Sequence, residues 1–191
     1  MLTADKILPC IHRQTSVPEG EILRRPLVGE LILAYWDGSQ LLTYAQLAEL
    51  GLSEETLFDL AVNNLSQRLT SLRGQVVRGA QFGLEEEGPV FTTLKVGQDL
   101  EACLLLLSHV WNKLAAGMTG ELVVGVAGRD RIMFTSSDHV VGQLAMRKLM
   151  EAAHAQAGAH ALSQELFVWR NPGLKEVHPI GTWQMFSEPV F

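Results

Sequence analysis

The chain has 191 residues, of which 47% are hydrophobic and 19% are charged, so it can build a sizeable core and is unlike a disordered chain. Its 15 basic and 21 acidic residues give a net charge of −6, which disfavours a nucleic-acid binder because such proteins normally carry a basic excess. No uninterrupted apolar run exceeds six residues, which is too short to cross a membrane. We therefore expect neither nucleic-acid nor membrane partners.

The first predicted unit combines a hairpin with two helices. Residues 28–36 are rich in β-branched and aromatic side chains and predict a strand that ends at the turn Asp37-Gly38. A short return strand near residues 40–43 and a helix over 44–50, ending at Gly51, follow. The next helix begins at Ser53, whose hydroxyl can cap it. Its apolar face is predicted from residues at three- and four-residue steps, namely Leu57, Leu60, Ala61, Leu65, Leu69 and Leu72.

The same order recurs twice along the chain. Strands are predicted at 75–82 and 90–94, before a helix that Asp99 caps and that runs to about residue 114. Strands at 121–127 and 131–135 flank the turn Gly128-Arg129-Asp130, before a helix at about 137–157 and a last strand at 162–169. Hairpins followed by helices predict an α+β fold, a mainly antiparallel sheet with helices packed on it, in a single domain over residues 1–191.

Three of the predicted strands are apolar on both alternating faces, whereas a half-exposed strand alternates with polar residues. They lie at 31–36, 122–127 and 166–169. A helix, a partner subunit or the C-terminal tail at 178–191 must therefore cover the second face. Because the tail carries several large apolar side chains, we expect it to pack on the domain or on a partner. The predicted cover of the sheet face or the tail is thus either the domain itself or a protein partner, a second copy included.

Three segments resemble the YtpQ-like family of uncharacterised bacterial proteins. The segments are residues 26–35 (PLVGELILAY), 52–65 (LSEETLFDLAVNNL) and 120–134 (GELVVGVAGRDRIMF), and the opening ILPCIH at 7–12 is similar in style to the start of that family. Where the family usually has a proline in the late hairpin, this chain has Ala127-Gly128. The resemblance implies a cytosolic bacterial protein and carries no activity, because its motifs are structural.

The two cysteines, Cys10 and Cys103, are too far apart for a CxxC motif. Cys103 lies in an apolar run, where a thiol usually serves as a small buried hydrophobe. Cys10 precedes His12 by two residues, and an imidazole can activate a neighbouring thiol. The commoner interpretation is that two residues of an extended segment share a side without any chemistry. Unpaired thiols and the lack of a recognisable export signal predict a cytoplasmic location.

The third hairpin and the helix after it supply the candidate ligand-binding residues. A helix N-terminus attracts anions, and Arg129 and Asp130 of the turn together with Ser137 and His139 of the helix start form the predicted site. Capping of the helix explains the serine and the neighbouring Asp138 equally well. No motif for a metal or a cofactor occurs, so we expect neither.

Two functions remain open at this stage. The favoured one is a noncatalytic binding or adaptor module whose contact surface is the sheet face or the tail. The alternative is a small hydrolase or transferase with an anion-binding site near the third hairpin and helix start. A hydroxyl and an imidazole within hydrogen-bond reach in a cleft would favour the enzyme.

Overall fold

A computed structural model describes residues 3–69, 71–82, 88–170 and 182–187. The strands are β1 (Leu8–Arg13), β2 (Arg24–Val28), β3 (Leu31–Trp36), β4 (Arg73–Arg78), β5 (Pro89–Lys95), β6 (Leu122–Gly128), β7 (Arg131–Ser136), β8 (Leu166–Trp169) and β9 (Trp183–Met185). The α-helices are α1 (Tyr44–Leu50), α2 (Glu54–Arg68), α3 (Ser108–Ala115) and α4 (Val140–Ala157). Short 3₁₀ helices include Glu101–Leu106.

The strands form two antiparallel sheets. The first has three strands in the order β1-β3-β2, and the second has six in the order β4-β5-β7-β6-β8-β9. Every strand pair in both sheets is antiparallel. The predicted α+β fold with a mainly antiparallel sheet is therefore confirmed.

The larger apolar core lies between the two sheets. The inner face of α2 packs beside β1, and the 3₁₀ helix Glu101–Leu106 lies between β1 and β7. The predicted cap of α2 is confirmed, because Ser53 Oγ accepts a hydrogen bond from the Thr56 N–H at 3.1 Å. This core joins the first sheet to one face of the second.

Both faces of the central strand β6 are covered by the chain itself. Leu122, Val124 and Val126 belong to the core between the sheets, whereas Val123 and Ala127 pack under α4 in a second core. The strand is buried along its whole length, as its composition predicts. Because α4 covers one face of β6 and the three-stranded sheet covers the other, the apolar faces of this strand do not require a partner subunit.

A predicted strand and a predicted helix differ from the observed elements in the same regions. The predicted strand at 28–36 is a hairpin instead, in which β2 and β3 are joined by a turn at Gly29, whose φ is +55°. The predicted single helix after Asp99 is a 3₁₀ helix followed by α3. All six residues of that 3₁₀ helix are buried, so the segment has no solvent face of the kind an amphipathic α-helix needs.

The C-terminal segment that the structure describes lies on the domain. β9 pairs with β8 and forms one edge of the six-stranded sheet. Trp183 is buried, packs against Trp111 and Trp169, and donates its indole N–H to the Leu105 carbonyl at 2.9 Å. The rest of the predicted tail lies outside the described residues.

The opposite edge of that sheet is β4, which faces solvent. Five of its six residues are exposed, and Val76 is 52% exposed. Arginines stand at both ends of the strand, Arg73 and Arg78. This strand is the one long open edge of the six-stranded sheet in the described part of the chain.

Candidate functional site

The structure does not gather the four predicted site residues into one place. Arg129 and Asp130 form the turn between β6 and β7, whereas Ser137 and His139 follow the far end of β7. A strand rises about 3.3 Å per residue, so the six residues of β7 separate the two pairs by about 20 Å. The predicted site is therefore split between the two ends of one hairpin.

Ser137 and His139 organise the start of α4. Ser137 Oγ accepts a hydrogen bond from the Glu121 N–H at 2.8 Å, and His139 Nδ1 accepts one from the Gly142 N–H at 2.9 Å. The helix begins at Val140, three residues later than predicted, so the histidine caps it and the serine does not. These polar atoms serve local folding, and the hydroxyl–imidazole chemistry of the enzyme alternative finds no support there.

Asp130 lies on the other side of the turn from Arg129. It borders a small cavity with Arg131 and the end of α4, and its Oδ2 lies 3.9 Å from Arg131 Nη2. Its backbone carbonyl accepts a hydrogen bond from Lys95 Nζ at 2.6 Å. The carboxylate is half-exposed, and it does not border the cavity that Arg129 borders.

Arg129 borders a cleft of about 380 Å³ between the two sheets. One wall is β1 and another is the start of the 3₁₀ helix Glu101–Leu106, while Trp36 at the end of β3 lies at the margin. Just over half of the bordering residues are apolar, and the others are Cys10, His12, Gln98, Asp99, Cys103 and Arg129. Such a lining is typical of a small-molecule site.

Arg129 and His12 are in direct contact in this cleft. Arg129 Nη2 lies 2.9 Å from His12 Nδ1 and 3.3 Å from its Nε2. Burial, the Arg129 charge and the His160 charge lower the pKa of His12 to about 4. The ring is therefore neutral at pH 7 and accepts a hydrogen bond from the guanidinium.

The guanidinium has unused hydrogen-bonding capacity. Its Nε is buried and has no hydrogen-bond partner among the described residues. Among those residues Arg129 also forms no ion pair. A partly buried cation without a carboxylate partner is costly, so an anion in the cleft would stabilise it.

The two thiols bordering the cleft are not activated. Burial raises the pKa of Cys103 to about 12, and its Sγ donates to the Pro9 carbonyl at 3.3 Å. Burial and the nearby Cys103 raise the pKa of Cys10 far above its ordinary value. Both thiols are protonated at neutral pH, so His12 does not generate a thiolate.

The rim of the cleft carries backbone strain. Gly97, Gln98 and Asp99 all have positive φ, at +83°, +61° and +56°. The latter two are not glycine, and non-glycine residues adopt this conformation uncommonly, aspartate more often than most. The buried carboxylate of Glu101, which is 2% exposed, holds the backbone just before them, because its Oε1 accepts the N–H groups of Val96 and Gly97, at 3.3 and 3.0 Å.

Sequence reasoning named Arg129 but did not pair it with His12. The two residues are 117 positions apart, and no periodic pattern links an imidazole on a strand to a turn arginine at that separation. The sequence does single out the segment that contains His12, but the reason is that Cys10 lies two residues away and not that Arg129 contacts the imidazole. The strain at Gln98 and Asp99 also gave no signal, because an aspartate before an apolar run normally predicts a helix cap.

Comparison with models of known families, with curated proteins and with solved structures gives no match for this chain. The resemblance to the YtpQ-like family therefore stays a prediction. Within the described residues, no helix has the length and apolar character needed to span a bilayer. Those residues also contain no cluster of three or more side chains suited to hold a metal ion.

Proposed function

We propose that the protein is a noncatalytic binding module that holds the anionic group of a small ligand at Arg129. The observation that carries the proposal is the guanidinium in the cleft, whose buried Nε has no partner among the described residues. A carboxylate or a similar anion accepts hydrogen bonds from a guanidinium in matching geometry. The anion would also give Arg129 an ion-pair partner, which Asp99 at the rim of the cleft does not provide among the described residues.

The size and lining of the cleft support a small ligand. Its volume of about 380 Å³ falls within the usual range of ligand pockets, roughly 300–1,000 Å³. The apolar wall includes Leu8, Leu41 and Leu100, which favours a ligand with an apolar part beside its anionic group. The strained rim at Gln98 is a further feature that clusters at ligand sites.

The chemistry of the cleft supports binding without catalysis. Both thiols are protonated at neutral pH and are poor nucleophiles. His12, with a pKa of about 4, is a weak base at neutral pH.

The proposals about location and origin are supported by the same sequence features as before. The unpaired thiols support a cytoplasmic location, and the family resemblance supports a bacterial protein. Self-association stays a proposal supported only by the apolar tail.

Octanoate, which joins one carboxylate to an apolar chain, is a suitable probe. We expect saturable binding by the wild-type protein at pH 7 in isothermal titration calorimetry, with a rise in Tm. Arg129→Met keeps the length of the side chain and removes its charge. Because it removes charge-assisted hydrogen bonds, it should weaken octanoate binding about tenfold or more.

Arg131→Met is the matched control, because it removes the same charge two residues further along, outside the cleft. It should bind octanoate as the wild type does. Equal binding by Arg129→Met and the wild type would contradict the proposal. So would the absence of saturable binding by the wild type at millimolar octanoate.

A further inference from the structure

A second cavity of about 380 Å³ adjoins the cleft. The two share four bordering residues: Leu8, Trp36, Gln98 and Leu100. The two cavities are therefore neighbours along these residues; we call the pair the groove, and Arg129 borders only its first part. A small ligand that contacts Arg129 alone would therefore occupy only part of the groove.

The second part of the groove is also cationic. Lys6 and Arg68 border it, and among the described residues neither forms an ion pair. Asp37 borders it as well, but its Oδ1 accepts the N–H groups of Ser39 and Gln40 at 2.7 and 2.9 Å within its own turn. Hydrogen bonds from these two N–H groups lower the pKa of Asp37, so the carboxylate is held by its turn. Within the described part of the chain these two cations thus lack an ion-pair partner, although the net charge of the protein is −6.

The middle of the groove is apolar. Trp36 is 39% exposed there, beside Leu8 and Leu100. A tryptophan that leaves this much of its ring in water offers an apolar surface to a ligand. Gln98, in its left-handed conformation at φ +61°, borders both parts and can donate or accept a hydrogen bond at the junction.

We propose that the groove binds an elongated small molecule with an anionic group at each end and an apolar middle, such as an α,ω-dicarboxylic acid. Arg129 holds one anionic group, Lys6 and Arg68 attract the other, and the apolar middle lies against Trp36. This inference rests on the proposed function, because the anionic group at Arg129 is the same one. To the proposed function it adds a second anionic group on the ligand and the elongated shape of the ligand.

A pair of eight-carbon acids tests this inference. Suberate has a carboxylate at each end and octanoate has one, and both are titrated into the wild-type protein at pH 7 and low ionic strength. We expect suberate to bind about fivefold more tightly, since exposed ion pairs are weak individually and are screened by salt. Non-specific effects would favour octanoate instead. The negative net charge of the protein repels the dianion suberate more strongly than the monoanion octanoate, and octanoate has more apolar surface.

The double variant Lys6→Ala/Arg68→Ala should bind suberate and octanoate about equally, with octanoate binding unchanged. The control Lys113→Ala/Lys148→Ala also removes two positive charges, at exposed positions that do not border the groove, and it should keep the preference for suberate. If the wild type binds octanoate through Arg129 but shows no preference for suberate, the inference is wrong and the proposed function stands. A preference that survives in Lys6→Ala/Arg68→Ala also overturns the inference. Binding of neither acid overturns both.

Discussion

The burial of His12 beside Arg129 makes the stability of the fold depend on pH. In the folded protein the pKa of His12 is about 4, against an ordinary value of 6.5 that applies to the unfolded chain. The unfolded chain therefore takes up a proton at a higher pH than the folded protein does. The stabilisation is fully present above pH 6.5, is lost as the pH falls from 6.5 towards 4, and changes no further below 4.

The size of the effect follows from the two pKa values. Their difference corresponds to about 3 kcal/mol of unfolding free energy in total. Between pH 6 and pH 4.5 the loss is about 2 kcal/mol. The titratable groups around His12 are Arg129 and His160, with Cys10, Cys103 and Asp99 in the same cleft. Burial lowers the pKa of His12 most, followed by Arg129 and His160, and both thiols stay protonated over this range of pH.

Urea unfolding of the wild type and of His12→Gln across pH 4.5–7.5 measures this effect. Glutamine does not titrate and keeps an acceptor for Arg129, so other titrating groups cancel in the comparison. The wild type should lose about 2 kcal/mol more than His12→Gln between pH 6 and pH 4.5. His109→Gln, at an exposed position, is the control and should follow the wild type. Parallel stability curves for wild type and His12→Gln, or a His12 pKa of 6 or more by NMR, would refute the reasoning.

Two further predictions concern packing. Gly142→Ala should destabilise the protein by about 2 kcal/mol in chemical unfolding, because its Cβ would overlap the Val90 carbonyl oxygen of β5 and push α4 off the sheet. The control Gly117→Ala should be neutral, because its Cβ meets nothing closer than 3.7 Å. Equal stability of the two variants would contradict the packing argument. Trp183→Ala should cost about 3–5 kcal/mol, since it empties a buried site against Trp111, and a loss below 1 kcal/mol would show that β9 adds little to the core.

Local signals in the sequence predicted local structure well. The Ser53 cap, the positive φ at Gly51 that ends α1, and the hydrogen-bonded Asp37 turn are all present. Each of these features depends on hydrogen bonds or backbone preferences of residues within three or four positions of one another. The local sequence is therefore sufficient to predict them. The hairpin β6–β7 and the helix α4 were predicted for the same reason, to within a few residues.

Long-range packing set the features that the sequence did not reveal. The region after Asp99 has the composition of a helix, but burial between two sheets divides it into a 3₁₀ helix and α3. The predicted return strand near 40–43 consists only of isolated bridges, Trp36 to Leu41 and Ile22 to Thr43. The cleft itself exists because β1 and the β6–β7 turn meet, and their residues are more than one hundred positions apart.

The open edge at β4 has a consequence for behaviour at high concentration. A strand with bare backbone groups is a template on which identical copies can stack into fibrils. In this protein Arg73 and Arg78 lie at the two ends of β4. Antiparallel pairing of β4 strands from two copies would place Arg73 of one copy opposite Arg78 of the other, and the like charges would repel each other. The like charges of the two arginines thus oppose such stacking, and their removal would leave the exposed β4 edge more prone to aggregate.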